Sequence, residues 1–222
     1  MTNYPRIYTR YLPHIQPEEG TFAITYRLYG SLPVPFIQQK KAEYEEAQKV
    51  IRVKYADKPD LDEQLLKLKQ TQFKDFDDFL DKNPNEPYHL KRREIAKIVS
   101  DSLHFLAEKY YELHAFCIMS NHVHVLLTVK PDAPTLTYIL ERHKSYTGWQ
   151  ANKILGKTGS FWAEGSYDHL VRNEISFFRY FLYTLNNPVK ANLVSNWNDW
   201  KFSYCNPNLL GYLADEQRIP PL

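Results

Sequence analysis

Three stretches of the chain have the pattern of β-strands, whose side chains alternate between the two faces of a sheet. Residues 21–29 carry an apolar side chain at every second position and end at Gly30. Residues 111–119 and 122–129 predict two further strands, separated by Ser120 and Asn121, which are typical turn residues. We therefore expect the second and third strands to pair as a hairpin.

Apolar residues at helical spacing predict helices between and after these strands. We expect these helices at residues 36–55, 61–80, 90–110, 134–155 and 174–188. The segment Asn83-Pro-Asn-Glu-Pro87 is predicted to interrupt the chain between the second and third helices. Residues 161–171 fit either a strand or a loop.

This order of elements predicts an α+β fold, in which helices cover one face of an antiparallel sheet and leave the other face free for function. A chain of 222 residues has room for one domain. We expect a single domain at residues 1–222, with a helical insertion at about residues 36–87.

Composition restricts the function only slightly. The net charge of +2 is too small to indicate a nucleic-acid-binding protein by itself. Apolar runs are much shorter than the roughly 20 residues that span a bilayer, and the N-terminus lacks the apolar stretch of a signal peptide, so we expect a cytoplasmic protein. Cys117 and Cys205 form no C-x-x-C pair and predict neither a disulfide framework nor a zinc ribbon.

The distribution of charge is more informative. The part of the chain from residue 142 onward contains all four tryptophans together with a set of basic residues: Arg142, Lys144, Lys153, Lys157, Arg172, Arg179, Lys190 and Lys201. Aromatic and basic side chains together suit single-stranded nucleic acid, whose bases stack on rings while its phosphates contact the charges. A solvated surface over an aromatic core is the alternative interpretation.

The strand at residues 122–129 contains a candidate metal-binding pair. His122, His124, Leu126 and Thr128 share one face, and the valines and Leu127 share the other. Two imidazoles two residues apart on a strand have the spacing of two ligands of one metal ion. A pair of ordinary hydrogen-bonded histidines has the same pattern, so the metal site requires further ligands elsewhere in the chain.

The last predicted helix offers such groups. Its core stripe is expected at Phe178, Leu182 and Leu185, with Ser176, Tyr180, Tyr183 and Asn187 on the other side. A phenol from Tyr183 and an amide oxygen from Asn187 can then point at one small volume, with Pro188 ending the helix. Tyr180 shares the face of Tyr183, and Asn187 could instead cap the helix, so both alternatives stay open.

Three segments together resemble the single-tyrosine HUH transposases, and among them the REP-associated tyrosine transposases. They are Ile118-Met-Ser-Asn-His-Val-His-Val-Leu-Leu127, Gly159-Ser-Phe-Trp-Ala-Glu-Gly-Ser-Tyr-Asp-His169 with Arg172, and Tyr183-Thr-Leu-Asn-Asn-Pro-Val-Lys-Ala191. Phe76-Asp-Asp-Phe-Leu-Asp81 also resembles the longer members of this group. The resemblance covers most of the chain.

The resemblance implies a ferredoxin-like (RRM-like) HUH nuclease fold that acts on single-stranded DNA, usually as a dimer and with a divalent metal. The family's histidine pair falls on His122 and His124, its nucleophile on Tyr183 and its third metal ligand on Asn187. Mg²⁺ or Mn²⁺ is the expected ion, and hairpin or palindromic repeat DNA the expected substrate in transposition or recombination. The candidate DNA contacts are Lys190, Arg172, Tyr167, His169, Trp162, Asn121 and Lys144.

Two positions depart from the family pattern. Ser120 replaces the usual proline before the Asn-His-Val-His run, and Asn192 replaces the usual glycine after Lys190-Ala191. The first change suits a turn. The second matters if the backbone at Asn192 needs a positive φ, although Asn tolerates that conformation better than most residues.

The chemistry implied by the resemblance is phosphodiester cleavage by a tyrosine. A phenol with a pKa near 10 is ionised in only about one molecule in a thousand at pH 7, a handicap of roughly 4 kcal/mol. A divalent cation would offset it by binding the scissile phosphate, and a 5′-phosphotyrosine would conserve the bond energy for strand transfer. A DNA-hairpin-binding module without catalysis, and a metal-dependent hydrolase of small substrates, are the competing functions.

Overall fold

The computed structural model describes residues 6–9, 13–16, 19–82 and 87–218, with side chains in residues 19–82 and 87–213. Within these ranges the strands are β1 (Arg6–Thr9), β2 (Pro13–Gln16), β3 (Thr21–Arg27), β4 (Tyr111–Ile118), β5 (His122–Val129), β6 (Tyr167–Val171) and β7 (Ser203–Cys205). The α-helices are α1 (Val34–Lys54), α2 (Leu61–Lys82), α3 (Arg93–Lys109), α4 (Leu136–Leu155) and α5 (Glu174–Lys190). Short 3₁₀ helices occur at His89–Lys91, Trp197–Asp199 and Pro207–Arg218. Most of the predicted interruption at residues 83–87 lies outside the described residues.

Five of the strands form one antiparallel sheet in the order β6-β3-β5-β4-β7, while β1 and β2 pair separately. The succession β3-α3-β4-β5-α4-β6 is the βαββαβ arrangement of ferredoxin-like folds. β7 extends this sheet beside β4, and α1 and α2 lie in the connection between β3 and α3. The predicted α+β fold with an antiparallel sheet is confirmed, and β5 is its central strand.

One face of the sheet packs against α3 and α4. The alternate residues predicted to share a face in the first and third strands are buried together in this main core: Phe22, Ile24, Tyr26, Leu28, Val123, Val125, Leu127 and Val129. Apolar residues of α3 and α4, including Ile95, Val99, Ile139 and Leu140, complete it. The period-two pattern therefore assigned the faces of both strands correctly.

The second face of the sheet is not free, which corrects the prediction that helices cover one face only. Phe181 and Leu185 of α5 pack with Ala23, Ala115 and Leu126 in a second buried cluster. Two of the sheet residues are alanines, whose small side chains let the helix lie close to the strands. α5 therefore lies directly against the face that carries the histidines.

The sheet-facing stripe of α5 also differs from the prediction. Leu185 is buried as expected, but Phe178 and Leu182 are only partly buried. Nor does Pro188 end the helix, which continues to Lys190. A proline near a helix C-terminus removes one hydrogen bond but has a φ that suits the helix, and Leu193 N–H still donates to the Pro188 carbonyl at 2.9 Å.

The helix α2 also reaches the histidine face. Its residues Lys69, Phe73, Asp77 and Leu80 fall on one stripe, at i, i+4, i+8 and i+11. Lys69 Nζ donates to the Asp168 carbonyl on β6 at 3.1 Å. α1 packs against the other side of α2, where Phe36 stacks on Phe79 with ring centroids 4.2 Å apart.

The domain assignment, one domain with an insertion at about residues 36–87, stays a prediction. α1 and α2 do fall within that range. In the described part of the chain, no helix is long and apolar enough to cross a bilayer.

Candidate active site

The two histidines of the predicted metal site lie on β5, the central strand. Both side chains are buried, and their ring centroids are 4.7 Å apart. β3 and β4 pair with β5 along both edges, so hydrogen bonds on two sides fix the backbone that carries His122 and His124. The predicted shared face is confirmed.

Asn121, at the turn before β5, fixes the orientation of His122. Asn121 Nδ2 donates to the main-chain carbonyl of Leu80 at 3.0 Å, which leaves its Oδ1 as an acceptor. His122 Nδ1 lies 2.7 Å from that Oδ1 and therefore carries the proton. The lone pair of neutral His122 is then on Nε2, which is 3.8 Å from Asp77 Oδ1.

Thr25 holds the second imidazole. It lies directly opposite His124 on β3, and its Oγ1 is 2.9 Å from His124 Nδ1. With Nδ1 as the donor, His124 also presents the lone pair of Nε2, which lies 3.3 Å from Asp77 Oδ1. Both histidines therefore turn Nε2 toward the same carboxylate.

The histidines are neutral at physiological pH. Burial lowers the pKa of His124 to about 4. Burial, and then the neighbouring His124, lower the pKa of His122 to about 3. Neutral imidazole is the form that binds metal ions.

Asp77 of α2 connects the histidines with the tyrosine. Its carboxylate is buried, and its two oxygens have different neighbours. Oδ1 is the atom near the two imidazoles, and Oδ2 accepts a hydrogen bond from the Tyr183 hydroxyl. The ring centroids of His124 and Tyr183 are 5.7 Å apart. The predicted nucleophile and the two predicted histidine ligands thus meet at one side chain.

In this arrangement Tyr183 is a protonated phenol. Burial and the Asp77 carboxylate together raise the pKa of Tyr183 well above its usual range. Loss of its proton therefore requires an acceptor beside it, and Asp77 occupies that place.

Lys190 completes the group from the same face of α5, two turns beyond Tyr183. Its Nζ lies 2.9 Å from Asp77 Oδ2, 2.8 Å from Asp78 Oδ1 and 3.2 Å from Asp81 Oδ2. Burial lowers the pKa of Lys190, but the carboxylates raise it by more, so the ammonium stays charged. This position depends on the helix continuing past Pro188.

Negative charge is in excess around this group. Three carboxylates of α2 face one ammonium, and burial together with Asp77 raises the pKa of Asp81 to about 7. Uncompensated buried carboxylates are costly. The surroundings of Asp77 and Asp81 therefore favour a further positive charge.

The unpaired polar atoms indicate where that charge would bind. Buried polar atoms are normally hydrogen-bonded, yet several in this part of the described chain have no hydrogen-bond partner: His122 Nε2, His124 Nε2, Asp77 Oδ1, Asp81 Oδ1 and Asn187 Oδ1. The ligand atoms of Asp77, His122 and His124 lie within 4.8 Å of one another. Two imidazole nitrogens and a carboxylate oxygen are a donor set that fits a divalent metal ion.

Asn187, the predicted third ligand, lies one turn after Tyr183. Its Nδ2 donates to the Tyr183 carbonyl at 2.7 Å, which leaves Oδ1 without a partner. Asn187 lies inside α5, whose C-cap is Ala191, so the alternative that it caps the helix is wrong. Its metal-binding role stays a prediction.

Three of the predicted DNA contacts surround the site. Asn121 and Lys190 have been described above. Tyr167 lies opposite Thr25 on β6 and stacks on Phe73 of α2, with ring centroids 3.9 Å apart. Their contact with DNA stays a prediction.

Two further predicted DNA contacts, His169 and Arg172, lie on β6 and directly after it. His169 is buried against Tyr180, with ring centroids 4.6 Å apart. Arg172 follows the end of β6 and is exposed. Of the two tyrosines on this face of α5, Tyr180 packs against His169, whereas Tyr183 contacts Asp77. This difference favours Tyr183 as the candidate nucleophile.

The last two predicted contacts belong to the opposite side of the sheet. Trp162 is buried in the main core, where its Nε1 donates to Thr147 Oγ1 at 2.9 Å. Lys144 Nζ donates to the carbonyls of Ala163 and Gly165 at 2.7 and 2.6 Å. Both side chains stabilise the packing of α4, and a role in DNA binding stays a prediction.

No pattern in the sequence predicts a role for Asp77. The motif Phe76-Asp-Asp-Phe-Leu-Asp81 stands out only through the resemblance. Its i, i+4 carboxylates, Asp77 and Asp81, were a signal for one acidic helix face. Nothing local indicated that this face would fold onto β5, some 45 residues later in the chain.

Comparison with known proteins supports the assignment of the fold. No protein-family model matches the sequence, and no curated protein matches it. One solved structure that does match is that of a REP-associated tyrosine transposase bound to a REP hairpin. The match has a TM-score of 0.52 and 14% identity, and covers 100% of this chain and 89% of that chain. The chain therefore has the same fold as that transposase.

Proposed function

We propose that this protein is a metal-dependent nuclease and strand transferase for single-stranded DNA, acting through a 5′-phosphotyrosine at Tyr183. One observation carries the proposal: the Asp77 carboxylate lies beside the imidazoles of His122 and His124 and also accepts the Tyr183 hydroxyl. A nucleophile and a candidate metal site are thus adjacent. The fold, shared with a transposase bound to a DNA hairpin, supports DNA as the substrate.

The proposed metal ligands are His122, His124 and Asp77, with Asn187 as a further oxygen donor. The mixed nitrogen and oxygen set suits Mn²⁺ or Mg²⁺. When bound, such an ion would orient the scissile phosphate and stabilise the charge that develops on it. His122 and His124 need no deprotonation to bind it, because burial keeps both imidazoles neutral.

Asp77 acts in this proposal as the acceptor of the phenol proton. Tyr183 Oη attacks the phosphorus, its proton passes to Asp77 Oδ2, and the bond from phosphorus to the 3′-oxygen breaks. The leaving 3′-oxygen takes up a proton from water, so the products are a 5′-phosphotyrosine and a free 3′-hydroxyl, with the phenol proton held on Asp77. Attack by the 3′-hydroxyl of a second strand reverses these steps and joins the strands without ATP.

Lys190 supplies the positive charge next to the nucleophile. Its Nζ shares Asp77 Oδ2 with Tyr183, so it lies where a non-bridging phosphate oxygen would approach. An ammonium there binds the phosphate as a point charge. When DNA binds, a phosphate contact would then replace some of the ion pairs that Lys190 now forms with the carboxylates of α2.

The remaining features of the proposal rest on the resemblance. We propose hairpin or palindromic repeat DNA as the substrate, transposition or recombination as the process, and a homodimer as the acting species. Asn121, Tyr167 and Lys190, which lie beside the site, are proposed to contact the DNA next to the cleaved bond. His169, Arg172, Trp162 and Lys144 are proposed as more distant contributors.

A denaturing gel tests the proposal. Incubation of the protein with labelled single-stranded hairpin oligonucleotides and Mn²⁺ should give a covalent protein–DNA band. Tyr183→Phe should abolish the band while leaving the protein folded, and Tyr180→Phe is the matched control that should retain it. A band that survives in Tyr183→Phe contradicts the assignment of the nucleophile.

A hairpin-binding module without catalysis is the second candidate, and one observation favours it. Asp77 of α2 accepts hydrogen bonds from both Tyr183 and Lys190. The two side chains that would contact a scissile phosphate are therefore already paired with α2. If this is the functional state, hairpin DNA should bind equally well in EDTA and in Mn²⁺, and no oligonucleotide should be cleaved. Metal-dependent cleavage of any hairpin rules this candidate out.

A further inference from the structure

The outward face of α4 carries an unbroken row of aromatic and basic side chains. The row comprises positions i, i+4, i+8, i+11 and i+15 of the helix: Tyr138, Arg142, Tyr146, Trp149 and Lys153. At about 100° per residue, all five fall within an arc of roughly 80°. These five residues are called the α4 stripe below.

The rings of the α4 stripe are open to solvent. Tyr138 is 44%, Tyr146 51% and Trp149 55% exposed. The opposite side of the helix is buried in the main core, so the fold itself does not need these rings. Three large aromatic side chains exposed in one row indicate an interaction surface.

The cations of the stripe lie against its rings. Lys153 Nζ is 3.4 Å from the centroid of Trp149. Arg142 Cζ is 5.7 Å from the centroid of Tyr138, and its Nη1 donates to the Tyr138 hydroxyl at 3.1 Å. In the described part of the chain, Arg142 and Lys153 form no ion pair with a carboxylate. The stripe is therefore both aromatic and positively charged.

We propose that the α4 stripe binds unpaired DNA, with bases stacked on its rings and phosphates beside Arg142 and Lys153. Aromatic platforms interleaved with cations are the chemistry that binds single strands irrespective of sequence. Tyr138 to Lys153 spans about 22 Å along the helix, enough for several nucleotides. The inference rests on the proposed function, because it takes DNA as the substrate.

The stripe is a second DNA surface, separate from the catalytic one. α4 packs on one face of the sheet, and His122 and His124 project from the other. DNA on the stripe is therefore not the segment at Tyr183. It is the single strand that flanks the cleaved site.

A second copy of the chain fits the stripe less well. An aromatic side chain buries about 150–250 Å² when fully covered. With about half of each ring exposed, three rings leave roughly 300 Å² to cover. A stable interface needs about 800 Å² per partner, and two copies of the stripe would also bring like charges together.

Binding of a labelled single-stranded oligonucleotide to the full chain tests the proposal. Fluorescence anisotropy in EDTA removes metal-dependent cleavage from the measurement. Tyr146→Ala with Trp149→Ala should raise Kd at least tenfold. Phe105→Ala is the matched control, because Phe105 is 55% exposed on α3 with Lys109 Nζ 4.7 Å from its ring, and it should change Kd less than twofold. Equal Kd values for the stripe variant and the control overturn the proposal.

The salt dependence tests the cations separately. Each phosphate contact on a single strand contributes about 0.7 to the slope of log K against log salt concentration. Arg142→Gln with Lys153→Gln should lower that slope by about 1.4, whereas Lys109→Gln should leave it unchanged. An unchanged slope in the double variant contradicts the phosphate contacts.

Two controls separate this inference from its alternatives. Analytical ultracentrifugation should give the same mass for wild type and stripe variants; a dimer lost only in the variants, with Kd for DNA unchanged, identifies a second copy as the occupant and overturns the proposal. Absence of covalent product in wild type would refute the nuclease while leaving the stripe measurement valid.

Discussion

Tyr183 donates its hydroxyl hydrogen bond to Asp77, a residue more than 100 positions earlier in the chain. The same carboxylate faces His124 Nε2 at 3.3 Å through its other oxygen. Asp77 of α2 therefore lies between the proposed nucleophile and the proposed metal-binding histidines.

Asp77→Asn should slow formation of the covalent adduct by about 10²–10⁴-fold, the usual contribution of a general base. The amide cannot accept the phenol proton, and it is a weaker ligand for a divalent ion. Asp78→Asn is the control, because Asp78 pairs with Lys190 at 2.8 Å but does not contact Tyr183. Single-turnover assays on hairpin DNA measure both. A faster reaction in Asp77→Asn would instead identify α2 as a lid over Tyr183.

Asn121→Ala should weaken Mn²⁺ binding about 10–100-fold without removing a proposed ligand. The cause is loss of the acceptor that keeps the proton on His122 Nδ1, and removal of such supporting groups has effects of this size. Titration calorimetry measures the affinity. Asn152→Ala is the control, because Asn152 likewise donates a side-chain hydrogen bond to a main-chain carbonyl, that of Gly159. This variant should leave Mn²⁺ binding unchanged. Equal affinities in both variants would show that Asn121 does not support the site.

Acid should destabilise the protein through buried His143. Burial lowers the pKa of His143 to about 3, and Tyr26 and Ser102 hold its two ring nitrogens. Between the unfolded pKa of about 6.5 and that low value, the unfolded chain binds the proton and the folded chain does not. This histidine should thus lower the free energy of unfolding as pH falls below 6.5, by about 1.4 kcal/mol per pH unit.

Urea unfolding in EDTA from pH 7 to pH 5 checks this effect. EDTA excludes any metal contribution from His122 and His124, which titrate equally in both proteins. His143→Gln should be less stable than wild type at pH 7 but should lose about 2 kcal/mol less on going to pH 5. Parallel pH profiles for the two proteins would contradict the prediction.

Asn192 should tolerate glycine but not alanine. Its φ is +56°, so the departure from the family pattern noted in the sequence does fall on a position with left-handed backbone. Alanine there should cost about 1 kcal/mol of stability, and glycine should be neutral within about 0.5 kcal/mol. Thermal unfolding measures both. Equal melting temperatures for the alanine and glycine variants would contradict the backbone argument.

Features with a local cause were predictable from the sequence. The alternation in residues 122–129 assigned both faces of β5. Thr135 is the N-cap of α4, and Gly156, with a left-handed backbone, is its C-cap. The spacing of Tyr183 and Asn187 placed both on one helix face, and the structure leaves Asn187 Oδ1 free to bind.

Features with a long-range cause were not predictable. The covering of the histidine face by α5 depends on small residues of two different strands, Ala23 and Ala115, that meet only in the folded sheet. The place of Asp77 depends on α2 packing along β6 through Phe73 and Tyr167. Lys190 was singled out, but its contact with three carboxylates required α5 to continue past Pro188.

In the proposed reaction, Tyr183 becomes covalently attached to DNA. The most direct measurement is peptide mass spectrometry of the protein after incubation with hairpin DNA and Mn²⁺, followed by nuclease and protease digestion. We expect a nucleotide attached through its 5′-phosphate to the phenol of Tyr183. A nucleotide attached to Tyr180, Tyr167 or any other residue, or no attached nucleotide when the DNA has been cleaved, would contradict it.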